Sequence, residues 1–369
     1  MHIHFLAYLL FCQAFLACQQ APEKILPQAA GIVFQPTDAR QQDPEKAGPP
    51  AANIVFRSAD GGQTWQDVSA GLPGDLQVRG VFAGGDEVLL GAESGVYRSN
   101  TAPVAPIWEK ALFLNENITA IFPGRAGPYA CSYWNGFFQE ILPGIWEPVH
   151  TAMKDKMVHT VLETPDGTVF VGCDSGIFKS ADGGKTWKQV FAEGMVTSLV
   201  ASDDVLVGGG FRGVLRSTDG GEHWGWVLTE DGMALKTGRI GGNFVAITSG
   251  FGPPGAETTH PVGLAANRLR SSTDGGKTWQ RMDESLSAAL FSPALSIKNM
   301  DARWSGLPRA INDIEQVGEY LFCSLEAGVF RSADQGKTWT LVLPSYDGKS
   351  FEMTKLGNVI FAVSINAGC

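Results

Sequence analysis

The chain has 369 residues, of which 44% are apolar and only 18% charged, and it carries 45 Gly and 20 Pro. Enough apolar material for a core excludes wholesale disorder, and so turn-rich a chain points to an all-β fold. The 28 basic and 38 acidic residues leave a net charge of −10, which excludes a nucleic-acid binder built on a basic patch.

Residues 5–17 read FLAYLLFCQAFLA, an uncharged apolar run. It is shorter than the roughly 20 residues a membrane-spanning helix needs and fits the apolar region of a signal peptide. Phe15-Leu16-Ala17-Cys18-Gln19 follows, with Phe15 where Leu is usual. This resembles a bacterial lipobox, which implies cleavage after residue 17 and lipidation of Cys18. Plain secretion, with Cys18 an ordinary thiol, is the alternative. Residues 1–17 are therefore expected to be a signal peptide and 18–52 a lipidated cysteine with a Gln-, Pro- and Ala-rich tether. Gly31-Ile32-Val33-Phe34 resembles the later Asn53-Ile54-Val55-Phe56 and could add a strand. The expected location is a bacterial envelope, on the outer-membrane or periplasmic side, or outside the cell. Cys131, Cys173 and Cys323 lie in apolar, strand-like segments and are expected to be buried thiols. With Cys369 they match no metal or redox spacing.

Internal repeats set the architecture of 53–369. SADGGQTW at 58–65 recurs as SADGGKTW at 180–187, STDGGEHW at 217–224, STDGGKTW at 272–279 and SADQGKTW at 332–339. Two worn copies, at 95–108 and 136–146, keep the frame without the motif. The tryptophans at 65, 108, 146, 187, 224, 279 and 339 then mark seven units of about 40 residues, with insertions at 249–267 and 281–308. Such a period predicts a seven-bladed β-propeller of four-stranded antiparallel blades. One clean unit is read as strands at 195–201, 205–209, 213–217 and 223–228. The Asp of each motif can accept backbone N–H bonds within its own turn, and Gly supplies the positive φ. The Trp is expected to open the next strand and pack on the neighbouring unit. The C-terminal NVIFAVSINAG matches the second strand of a unit and its turn, so Ile54–Ser58 should supply the third. The N- and C-terminal strands then share one blade and leave no open edge at the seam.

The motif resembles the Asp-box (BNR) repeat of sialidases, xyloglucanases, sortilin-type receptors and a photosystem II assembly factor, in the sialidase-like group of WD40/YVTN/BNR-like propellers. The resemblance implies that Asp60, Asp182, Asp219, Asp274 and Asp334 are structural turn residues at the blade periphery. No site residue carries over from the sialidases, since no Arg-Ile-Pro occurs and their propellers have six blades.

In this topology the inter-blade loops and the turns joining second to third strands share one end of the ring. Aligning the innermost strands places Arg79-Gly80, Thr119-Ala120, His159-Thr160, Thr197-Ser198, Asn312-Asp313 and Glu352-Met353 at the channel mouth. The register around Lys236 stays open. Asp313, Glu352 and Arg79 come from successive blades. Two carboxylates beside a guanidinium suit acid/base chemistry, and equally a solvated ion pair. His159 and Asn312 suit ligand contact or a polar cap. Tyr133, Trp134 and Trp304, on loops reaching the same end, suit a sugar or a protein partner, or burial under the insertions. No metal, nucleotide or hydrolase-elbow motif occurs, and no cofactor is expected. The expected function is a monomeric, envelope-tethered binding scaffold for a protein or polysaccharide. A glycosidase using Asp313 and Glu352 is the alternative.

Overall fold

The computed structural model describes residues 52–100, 107–111, 116–132, 134–149, 152–153, 156–229, 232–249, 268–286, 310–345 and 349–365. Among them, seven four-stranded antiparallel sheets form the blades of a propeller. Blade 1 runs outward from Ser350–Leu356 through Val359–Ile365 and Val55–Ser58 to Gln66–Asp67. Blades 2 to 7 follow in chain order, with innermost strands Val78–Gly84, Ala120–Phe122, Val158–Glu163, Val196–Ser202, Ala234–Ile240 and Ile311–Val317. The seam closes as the sequence implies, with Val55 opposite Val363 and Ser58 opposite Ile360.

The second strands explain why the blades stack. Val169–Cys173 and Tyr320–Leu325 are nearly continuous apolar runs. Only a strand covered on both faces reads that way. Seven apolar clusters result, one at each blade–blade junction; the cluster at the seam joins Phe322 and Val329 of blade 7 to Phe351 and Ile360 of blade 1. Cys131, Cys173 and Cys323 are buried, reduced thiols within these layers, and burial pushes the Cys131 and Cys323 thiols far up.

The motif turns close on themselves. Asp60 Oδ1 accepts the Gln63 and Thr64 backbone N–H groups at 2.9 and 3.0 Å, and the Thr64 hydroxyl donates to Oδ2 at 2.6 Å. Ser58 Oγ donates to Asp60 and accepts from Gly62 N. The pattern repeats around Asp182, Asp219, Asp274 and Asp334. Hydrogen bonds from Thr64, Thr186 and Thr338 hold the carboxyls of Asp60, Asp182 and Asp334 down at about 2. Gly62, at φ +79°, lies against the preceding blade, where an added methyl would stand 2.4 Å from the Phe322 ring.

Three of the five boxes are also gripped from the blade before them. Lys179 Nζ donates to Gly220 O at 2.8 Å, Arg216 Nε to Gly275 O at 2.6 Å, and Arg331 to Gly61 O at 2.8 Å. Blade 3 lacks the box, and there Arg98 of blade 2 meets the buried Glu140 at 2.5 Å. Glu140 also accepts the backbone N–H of Gly144, four residues on, as the box Asp does.

Two details differ from the sequence reading. The clean unit's strands are Val196–Ser202, Val205–Gly210, Gly213–Ser217 and Gly225–Leu228. In the intact boxes the Trp stands just before the outer strand instead of opening it. Trp187, Trp224, Trp279 and Trp339 donate Nε1 back to the carbonyl of the Gly two residues after the Asp of their own box, which keeps the ring with the turn. Packing on the preceding blade is as expected, for example Trp224 edge-on to Phe170.

Candidate functional site

The innermost strands carry a repeated irregularity at the end where they begin. In blades 2, 4, 5, 6 and 7 one extra residue bulges out of the pairing: Arg79, His159, Thr197, Leu235 and Asn312. A bulge leaves its residue unpaired and re-aims it. The next residue pairs with the second strand again and forms a rung around the ring: Gly80, Ala120, Thr160, Ser198, Lys236 and Asp313. Blade 1 has no bulge. Phe351 faces Ser364 and Glu352 faces Val363 without an intervening residue. Glu352 therefore falls on the same rung as Asp313, one place from where alignment of the first apolar residues puts it.

Three charged groups thus meet from blades 6, 7 and 1. Lys236 Nζ donates to Asp313 Oδ1 at 2.7 Å and lies 3.6 Å from Glu352 Oε1. Asp313 Oδ1 also accepts Ile314 N, and Oδ2 accepts Met353 N of blade 1, both at 2.8 Å. The Asp313 side chain is 3% exposed, against 27% for Glu352 and 40% for Lys236. Lys236 and Glu352 are enclosed by protein yet touched by water, as residues lining a narrow channel are. Burial pushes the Glu352 carboxyl up to about 7; Lys236 opposes that and Asp313 adds to it. For Lys236, burial works downward, but Asp313, Glu352 and Glu315 outweigh it and hold the ammonium above its ordinary value. Two residues further along, Lys355 donates to Glu315 at 2.7 Å and to Gln316 O at 2.6 Å.

Arg79 is not part of this group, contrary to the sequence expectation. It pairs with Glu93 in the second-to-third-strand turn of its own blade. Its bulge aims it at that turn, and Lys236 is the cation between the two carboxylates instead. The signal for Lys236 lies in the hairpins: Gly80, Ser198, Lys236, Asp313 and Glu352 each stand five residues before the turn to the second strand. Alignment on apolar residues does not use it.

His159 repeats the Arg79 arrangement, its Nε2 lying 2.6 Å from Asp174 Oδ1 in the turn of blade 4. Asn312 Nδ2 is buried with no hydrogen-bond partner among the described residues. Trp134 sits on the corresponding turn of blade 3 and is 68% exposed, and Phe211 on that of blade 5 is 48% exposed. Tyr133, Trp304 and Cys18 lie outside the described residues, as does most of both insertions. Among the described residues, no group of three or more His, Cys, Asp or Glu side chains could hold a metal ion.

Residues 270–281 match the family model of the BNR/Asp-box repeat. The chain carries a BNR/Asp-box propeller fold. Solved structures of similar fold include YCF48 from Cyanidioschyzon merolae, at 11% identity and a TM-score of 0.53, covering 78% of this chain and 95% of that one. YCF48 bound to D1 peptide is similar at 14% identity and 0.52, covering 78% and 93%. The GH74 xyloglucanase from Xanthomonas campestris is similar at 16% identity and 0.51, covering 77% of this chain but 47% of its own, so this Asp-box propeller spans about half its length. No curated protein is a detectable relative. At these identities the likeness concerns the fold, and fold alone does not fix function.

Proposed function

We propose that this Asp-box propeller is a non-catalytic binding scaffold. It holds a protein or polysaccharide partner at the end of the ring where the innermost strands begin, and a lipid on Cys18 tethers it to the cell envelope. The observation that carries the reading is the state of Asp313. Both its oxygens are taken by Lys236, Ile314 N and Met353 N, and its side chain is 3% exposed. A glycosidase needs two carboxyl groups that both reach the substrate. Here one of the two is committed to tying three blades together. The exposed rings of Trp134 and Phe211 supply contact surface at the same end. A D1 peptide bound to YCF48 is a precedent for a peptide held by this fold.

The glycosidase reading keeps one observation in its favour. A carboxyl at about 7, as in Glu352, suits a general acid. A glycan array of residues 19–369, read for both retention and sugar release, separates the two. We expect no release from any glycan, and a partner cross-linked from native envelope that Trp134→Ala no longer retains. Release that disappears in Glu352→Gln overturns the binding reading in favour of the enzyme. Membrane retention is expected to be lost in Cys18→Ser; unchanged detergent partitioning of that variant removes the lipid tether.

A further inference from the structure

Glu352 is a carboxylate without its own donor. No described residue gives it a hydrogen bond of normal length; its nearest cationic nitrogen is Lys236 Nζ at 3.6 Å, already held by Asp313 at 2.7 Å. Its oxygens face the channel with 27% of the side chain exposed. The charged groups around it are Lys236 from blade 6, Asp313 and Glu315 from blade 7, and Lys355 on its own strand. Arg79 of blade 2 is withdrawn to Glu93. Two cations against three carboxylates leave the cluster one positive charge short whenever Glu352 is ionised. Next to Lys236 in the chain, Leu235 bulges from blade 6 with 39% of its surface exposed, an apolar surface at the same end of the strand.

We propose that Glu352 is the acceptor for a cationic N–H group, a guanidinium or ammonium, entering the channel mouth where blades 6, 7 and 1 meet. This rests on the binding reading above and names the chemistry the partner must bring. The incoming cation completes a quartet with Glu352, Lys236 and Asp313, two positive and two negative charges. Its aliphatic stem lies along Leu235. A net charge of −10 draws basic ligands toward the protein from a distance. Burial holds the Glu352 proton until about pH 7. The ligand binds the ionised form, so binding releases that proton. Affinity is then constant above about pH 7 and weakens toward tenfold per pH unit below it.

The test titrates residues 19–369 with agmatine and, separately, with acetyl-Ala-Arg-Ala-amide, by calorimetry in two buffers of different ionisation enthalpy. We expect saturable binding, close to one proton released at about pH 6, and loss of binding in the near-isosteric Glu352→Gln. Binding of the peptide places the cation on a partner chain; binding of agmatine alone places it on a free amine. A carboxyl-carbon NMR titration of Glu352 needs no variant, and its midpoint should fall when agmatine is saturating. Absence of binding, binding retained in Glu352→Gln, or an unmoved midpoint each overturn the proposal. Such a result alongside a Trp134-dependent partner would remove this inference and leave the binding reading intact. Glycan release would remove that reading whatever agmatine does.

Discussion

In the box turns each Asp carboxylate sits in solvent and is saturated by its own turn, a seven-residue stretch such as Ser58–Thr64 supplying the donors. At the channel mouth the acids are enclosed; Asp313 takes Lys236 and Met353 N from two other blades as well as its own Ile314 N, and Glu352 has only Lys236 nearby, at 3.6 Å. The first arrangement pulls carboxyls down to about 2; the second pushes Glu352 up to about 7. Local saturation makes a module that can be repeated around a ring. Dependence on neighbours makes a place that occurs once, and such places are where ligand chemistry finds room.

The comparison is broken most severely at Asp313. Asp313→Ala strands Lys236 and two backbone N–H groups, and should cost about 3–5 kcal/mol of unfolding free energy in urea titrations. Glu352→Gln should work in the opposite direction. A carboxyl raised from 4.5 to about 7 by folding stabilises the fold fully only below its unfolded pKa, and that stability is lost as pH rises to about 7. The variant should therefore be the more stable protein at about pH 8, by at most about 3 kcal/mol, with the gap closing at about pH 4. The boxes carry the reverse sign. Asp60, Asp182 and Asp334 are depressed to about 2, so their contribution is complete above about pH 4 and is lost as pH falls through 2. Asp219→Ala should lower the urea midpoint less than Asp313→Ala does and leave partner retention unchanged. Lost retention in a fully folded Asp219→Ala would end the structural reading of the boxes. Trp134→Ala should change stability least, within about 0.5 kcal/mol, while weakening partner retention.

The ring itself was legible because its signal is periodic. Five near-identical turns and seven tryptophans fix the unit length, and the unpaired third strand at Ile54–Ser58 fixes the seam. The mouth was legible only in part. Asp313 and Glu352 stand out as acids at strand starts, but a single bulge shifts a register by one residue and changes which side chains meet. Blade 1 omits the bulge that blades 6 and 7 contain, so Glu352 meets Asp313 and Lys236 rather than Arg79. Arg79 and His159 bulge at the starts of their strands, and their acids, Glu93 and Asp174, lie in turns that carry no repeat signal. The grip of Lys179, Arg216 and Arg331 on the next box joins residues 41, 59 and 270 positions apart, which a repeat within one blade does not show.

That grip has a direction. Each basic residue reaches forward in the chain, from Lys179 to Gly220 and from Arg216 to Gly275, except at the seam, where Arg331 reaches back 270 residues to Gly61. The first box to leave the ribosome is consequently the last to be completed. Until the final blade is made, the second Gly of that box has no Phe322 to lie on and Val55–Ser58, paired on one edge with Gln66–Asp67, has no inner strand on the other. The strands that close the ring, Val55–Ser58 and Val359–Ile365, therefore meet only when synthesis of the propeller is all but over.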